Sequence, residues 1–335
     1  MPRKLSLHFT GSATEYFRIW IVNTCLTLFS LGIFSAWAKV RKKRYFYSHT
    51  ILDGTPFQYL GQPIPILKGR LIATALFITW YVATHYVTAL LPFVLVIAFM
   101  LAPWVVIRAA AFNARYSAYR NMTFSFAGTY LSAARVIYGW AVVTILTLGI
   151  AFSWWHQRIK RYMIKQTSYG DITGDFSATG GQFFKTYIVA GLLFIGAVFG
   201  VSLLLGLTLA RGGHKSAYTI VLMVIMYSVY VMAYAYTQAR ITNLVWNKSQ
   251  LGSLRFHSTI GVRDLLGLYL TNALAIIASA GLLIPWATIR TLKYRTDRLA
   301  IESQSDLSEF RGSDDSNVRA TGAEIGALFD FDMSL

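Results

Sequence analysis

Seven apolar runs of about 20 residues recur along this chain, and they constrain its fold more than any other feature. They are Ile19–Ala38, Leu71–Leu91, Phe93–Phe112, Val136–Trp155, Thr186–Ala210, Ala217–Thr237 and Leu265–Ile289. A helix of about 20 residues crosses a hydrocarbon core of about 30 Å. The expectation is a mainly α, polytopic helical membrane protein with about seven transmembrane helices. The rival reading, core helices of a large soluble protein, needs a polar shell. Only 13% of the residues are charged, against about 25% in soluble domains.

The charge is unevenly placed. The net charge is +17. The six acids before residue 302 are Glu15, Asp53, Asp171, Asp175, Asp264 and Asp297; eight more lie in 302–335. Basic residues gather at the ends of the apolar runs, as in Lys39, Arg41, Lys42, Lys43 and Arg44. That placement suits anionic lipid headgroups as partners and leaves no single basic surface for nucleic acid. The one cysteine, Cys25, reads as a small apolar packing residue. Ala36-Trp37-Ala38 has the pattern of a leader-cleavage site, but the apolar run before it is longer than a leader's and the segment recurs twice, so it is expected to be retained.

Aligned on Gly32, Gly149 and Gly281, three segments agree. Trp37, Trp154 and Trp286 follow five residues later, Arg41, Arg158 and Arg290 nine later, and Tyr45, Tyr162 and Tyr294 thirteen later. Three copies of one unit are expected, at 9–61, 124–176 and 254–303, inside a membrane domain of residues 1–301. Steps of four place Trp, Arg and Tyr on one helix face. They read as an aromatic and basic belt facing lipid, with Arg lining a polar pathway as the sharper alternative. Asn23 and Asn272 share a position in copies one and three, where copy two has Trp140, and read as helix–helix glue. His85 lies inside an apolar run and is either a proton-linked residue or a hydrogen-bonded packing histidine.

Alternating stretches at Leu5–Phe9, Thr55–Leu60, Thr123–Phe126 and Leu254–Ser258 predict short β-strands outside the bilayer, where they can pair into a small sheet. Leu71–Leu91 with Phe93–Phe112, divided at Pro92, and Thr186–Ala210 with Ala217–Thr237 read as two helical hairpins. Gly191, Gly196, Gly200 and Gly206 predict close helix packing. Residues 302–335 read as an acidic, flexible tail. Lys and Arg flank both ends of each copy, which strains a single crossing per copy. Seven spans is the expectation; the alternative is that each copy dips into the membrane and returns at its glycine, leaving four full spans.

The sequence resembles the YjgN family, bacterial inner-membrane proteins of unknown function. The resemblance rests on Phe9-Thr-Gly11, Glu15-Tyr-Phe17, Asn23, Leu31-Gly-Ile33, Ser35-Ala-Trp-Ala-Lys-Val-Arg41 and Arg44-Tyr-Phe46. It extends through Lys68-Gly-Arg70, Phe112-Asn-Ala-Arg115, Tyr119-Arg-Asn121 and Phe124-Ser-Phe-Ala-Gly128 to Gly281-Leu-Leu, Pro285-Trp-Ala287 and Ile289-Arg290. It implies a bacterial cytoplasmic-membrane location and carries no activity.

No catalytic or cofactor motif is present: no HExxH, GxSxG, P-loop or glycine-rich dinucleotide fingerprint. The six histidines lack ligand spacing, and Asp171 with Asp175 offers too few oxygens for calcium, so neither metal nor cofactor is expected. The expected role is non-enzymatic: a transporter or channel for an unidentified solute or, alternatively, a component binding anionic lipid or a partner protein. A lipid-modifying enzyme would need a nucleophile with a base.

Overall fold

A computed structural model describes residues 3–210 and 215–303. In chain order they form β1 (Arg3–Leu5), β2 (Leu7–Phe9), α1 (Ala13–Phe29), α2 (Ser35–His49), β3 (Thr50–Leu52), β4 (Thr55–Pro56) and β5 (Gln58–Tyr59). Then come α3 (Pro63–His85), α4 (Leu91–Arg115), β6 (Ser117–Tyr119) and β7 (Met122–Phe126). The next helical arm consists of α5 (Tyr130–Ala134), a π-helical turn (Arg135–Gly139) and α6 (Trp140–Leu146), and it is answered by α7 (Phe152–Gln166). β8 (Thr167–Tyr169), β9 (Ile172–Phe176), α8 (Gly180–Ala210), α9 (Lys215–Asn247), β10 (Ser249–Leu251), β11 (Leu254–Ser258), α10 (Val262–Ala278), α11 (Ile284–Asp297) and β12 (Leu299–Ser303) complete the described chain.

The strands pair antiparallel in the order β1-β12-β11-β10-β9-β8-β7-β6-β5, with a second set β2-β3-β4. Only Ser6 separates β1 from β2, and only Phe57 separates β4 from β5. The two sets are therefore joined through the chain at both ends into one circuit that returns to its start, a ring of paired strands. Leu5, Leu52, Tyr119, Tyr169, Leu254 and Ile301 are buried together, so strands from around the ring fill its inside with apolar side chains. Two phenols cross this interior: the Tyr169 hydroxyl donates to the Tyr119 carbonyl at 2.7 Å, and the Tyr119 hydroxyl donates to that of Leu52 at 2.9 Å.

Along the ring, tight turns alternate with helical hairpins. The turns are Asp53-Gly54, Arg120-Asn121, Gly170-Asp171 and Gly252-Ser253, and the first two have positive φ at both residues, the geometry that matches strand twist. Because an antiparallel strand reverses direction each time, all tight turns lie at one edge of the ring and all five helical hairpins leave from the other. The helices pack in chain order around a circle, closed where α11 lies against α1. Among the described residues, four helices are long and apolar enough to cross a membrane: Pro63–His85, Thr88–Arg115, Gly180–Leu204 and Val221–Asn247.

The strands agree with those expected from alternation, and the structure adds β3, β6, β8, β9, β10 and β12. The other three apolar runs are not single helices. Ile19–Ala38, Val136–Trp155 and Leu265–Ile289 are each interrupted at their glycine by a turn, so the seven crossings expected from length reduce to four long helices and three short hairpins. Pro92 does not divide its pair; it sits in the first turn of α4, where a missing N–H costs nothing, and the break falls at residues 86–90. The glycines of α8 are not a packing seam: a Cβ at Gly191, Gly196, Gly200 or Gly206 would meet nothing within 4 Å. Cys25 is exposed on α1, not packed inside. The expected acidic tail falls, from residue 304, outside the described residues.

Candidate functional site

The three short hairpins are α1–α2, the α5-to-α6 arm with α7, and α10–α11. Each turns on two consecutive residues of positive φ, the second a glycine. Leu31, Leu148 and Ala280 have φ of 51°, 50° and 48°, and the glycines that follow have φ of 91°, 90° and 91°. Each glycine N–H reaches back to the carbonyl of Thr27, Thr144 or Ile276 at 2.8 Å, closing the first helix. Ser30, Thr147 and Ser279, which end the first helices, span the turn by accepting from the N–H of Phe34, Ala151 and Leu283 at 2.8, 3.1 and 3.0 Å. This hydroxyl, two residues before each glycine, was legible in the sequence.

At the other end, the tyrosine of each second arm ties down the start of the first. The Ser12 N–H donates to the Tyr45 hydroxyl at 2.9 Å, and that hydroxyl donates toward Glu15 Oε2 at 3.2 Å. The Tyr162 hydroxyl lies 2.9 Å from Ser132 Oγ. The Gly261 N–H donates to the Tyr294 hydroxyl at 3.0 Å, and Tyr294 approaches Asp264 Oδ2 at 3.3 Å. Hydrogen bonds from the Ser12 and Tyr45 side chains hold the Glu15 carboxyl below its usual range. The space is tight: a Cβ on Gly128 would lie 2.4 Å from the Phe126 ring and 2.5 Å from the Tyr162 hydroxyl.

Between turn and tyrosine, the arginine joins the two arms. Arg41 Nη1 donates to Asn23 Oδ1 at 3.3 Å, and Arg290 Nη1 to Asn272 Oδ1 at 3.2 Å. The asparagine Nδ2 groups donate to the carbonyls of Ala38 and Ala287 at 3.5 and 3.4 Å. Where the second hairpin has Trp140, the Arg158 guanidinium lies over its ring, 5.3 Å from the centroid. Trp37 packs beside Ile66 of α3, and the Trp154 ring lies tilted against Phe184 of α8, centroids 5.0 Å apart. Trp286 lies 5.1 Å beneath the Arg290 guanidinium. His85 is the last residue of α3, stacked on Tyr81 at 4.3 Å, with Nδ1 3.0 Å from that residue's carbonyl oxygen.

Charge is segregated along every hairpin. Lys and Arg are absent from 19–38, 71–107, 136–157, 186–210, 216–239 and 264–289, so among the described residues they lie toward the ring ends of the helices, apart from Lys215 at the start of α9. Among the described residues, carboxylates at the ring meet these cations: Asp53 pairs with Arg3 and Arg120 at 2.9 and 3.3 Å, and Asp175 with Lys165 at 3.1 Å, which lowers the Asp175 pKa. Among the described residues, no group of three or more His, Cys, Asp or Glu could hold a metal.

A family model described as bacterial protein of unknown function, DUF898, matches residues 4–328. Proteins named inner membrane protein YjgN are similar over shorter stretches. The one from Salmonella typhimurium is 44% identical over 54 residues, 16% of this chain and 14% of that protein. The one from Escherichia coli K12 is 34% identical over 76 residues, 23% of this chain and 18% of that protein. The matched stretches thus span under a fifth of these relatives' length. No solved structure matches. These names and the four long apolar helices agree with the expected location, the bacterial inner membrane.

Proposed function

The chain belongs to the DUF898 family of bacterial proteins of unknown function, and from that premise we propose a non-catalytic membrane component that grips one leaflet with three short hairpins and anionic headgroups with its basic collar. The hairpins are copies of one unit in this reading. Its support is a conformational expense with no return inside the protein. Leu31 and Leu148 hold the left-handed conformation, which costs a leucine about 1–2 kcal/mol relative to glycine, yet they are 94% and 95% exposed. Side chains kept there without a protein partner have lipid as the remaining apolar neighbour.

Dimensions fit a half-crossing. Arg41, Arg158 and Arg290 stand nine residues after their glycines, a depth of about 13 Å along a helix, close to one leaflet. The two long hairpins cross fully in this reading. With cations at the ring edge, the positive-inside tendency puts the ring in the cytoplasm. This also removes the strain in the sequence, since both ends of each copy then lie on one side.

A nitroxide on Leu148→Cys, in a Cys25→Ser background, should sit near mid-bilayer by oxygen and nickel accessibility; a water-exposed label there would end the proposal. Replacing Lys42, Arg135 and Lys293 by Gln should reduce phosphatidylglycerol retention in native mass spectrometry, at about 1 kcal/mol per charge. A transporter is the second reading, favoured by glycine-broken helices entering from one side; gradient-driven solute uptake by proteoliposomes would establish it.

A further inference from the structure

On the outer wall of the strand ring, below the α8–α9 hairpin, lies an open cleft of about 610 Å³. The ring's alternation builds its charged floor. Leu5, Ile301 and Leu254 point into the core, so their neighbours Lys4, Glu302 and Arg255 point out. Lys4 stands opposite Glu302 across the β1–β12 pair, and Glu302 opposite Arg255 across β12–β11, so the three share one face. Lys248, where α9 enters β10, and His257 complete the set of basic side chains, and Ser249 and Gln250 add neutral hydrogen-bonding groups.

Elsewhere on the ring, cations are committed: Arg3 and Arg120 to Asp53, Lys165 to Asp175, Arg298 to Asp264. Among the described residues, no such ion pair engages Lys4, Lys248 or Arg255. Three cations against the one carboxylate of Glu302 leave a surplus of about two positive charges from the fixed charges alone, close to the −1.5 to −2 of a phosphomonoester at neutral pH. A phosphodiester carries half of that. The volume exceeds a phosphate group and falls in the range of small-molecule sites.

We infer that this cleft binds a phosphomonoester group, with Arg255 as the bidentate donor and Lys4 and Lys248 as flanking point charges. The chemistry is shared by a phosphatidic acid headgroup and a soluble phosphate ester. Only the lipid source rests on the membrane orientation proposed above.

The test uses the full chain and an Arg255→Gln, Lys248→Gln variant whose melting temperature in detergent matches the parent. In nanodiscs of phosphatidylcholine with about one lipid in ten replaced by phosphatidic acid, the parent should retain phosphatidic acid in native mass spectrometry. The variant should retain about tenfold less or lower still. Should retention be equal, inorganic phosphate is titrated calorimetrically: binding by the parent that the variant loses keeps the site and makes the ligand soluble. Equal retention together with no phosphate binding, or equal phosphate binding, overturns the assignment. A variant too unstable to match is replaced by Lys4→Gln alone, judged by the same readouts. Phosphatidylglycerol retention by the collar is measured in parallel; its loss without loss in the cleft counts against the collar reading only.

Discussion

At the scale of single residues, Arg41 and Arg290 are ties between helices. Sequence periodicity placed Trp, Arg and Tyr on one helix face but gave no sign of what that face meets, because the partners stand 18 to 33 residues earlier in the chain. Asn272 illustrates the cost of losing one. It is buried, accepts from Arg290 and donates to Thr291 Oγ1 at 3.0 Å. Asn272→Leu should destabilise the protein by about 1 kcal/mol, and a double-mutant cycle with Arg290→Gln should show non-additive loss in detergent melting. Additivity would mean that the pair does not act as one. Tyr169 supplies a pH-dependent case outside the helices. Burial in the ring pushes its pKa up to about 12 from 10.0. The unfolded chain then ionises first, so this contribution is whole below pH 10 and is lost as pH rises through about 12. Alkaline titration followed by phenolate absorbance should show Tyr169 ionising together with unfolding, a feature that Tyr169→Phe removes.

At the scale of elements, the short hairpin explains why length alone overstated the crossings. Apolar residues flank each glycine on both sides, so hydropathy runs through the turn without a dip. The break is carried by backbone conformation, and leucine at a left-handed position has no compositional signature. What could be read was the hydroxyl two residues before each glycine, a hydrogen-bonding group inside an apolar run that spans the turn. Gly149→Ala should therefore cost about 1–2 kcal/mol through its φ of 90°, although its Cβ would meet nothing within 4 Å. Thermal melting of that variant against Gly139→Ala, at a position with helical φ of −58°, separates backbone strain from packing. Equal melting temperatures would argue against the turn as drawn.

At the scale of the molecule, the ring is what makes five hairpins one protein, and it was the least legible part of the sequence. Strands of three residues such as Ser117–Tyr119 and Thr167–Tyr169 are too short to show alternation; five-residue Leu254–Ser258 was visible, while Ile172–Phe176, with Gly174 and Asp175 inside it, and Leu299–Ser303 were not. Turn chemistry at Asp53-Gly54 and Gly170-Asp171 held the missing signal, since each joins two strands by two residues. Closure depends on the pairing of β1 with β12, which links segments nearly 300 residues apart. Lys4 and Glu302 oppose each other there on the outer face. Lys4→Cys with Glu302→Cys, in a Cys25→Ser background, should oxidise to an intramolecular disulfide. It should raise stability by about 2–4 kcal/mol by shortening the unfolded chain's reach. A melting temperature that rises on oxidation and falls on reduction follows if the ring closes between these strands. Thiols that stay reduced under mild oxidant would mean that the circuit is open at that seam, and that the hairpins are held in their circle by contacts between helices alone.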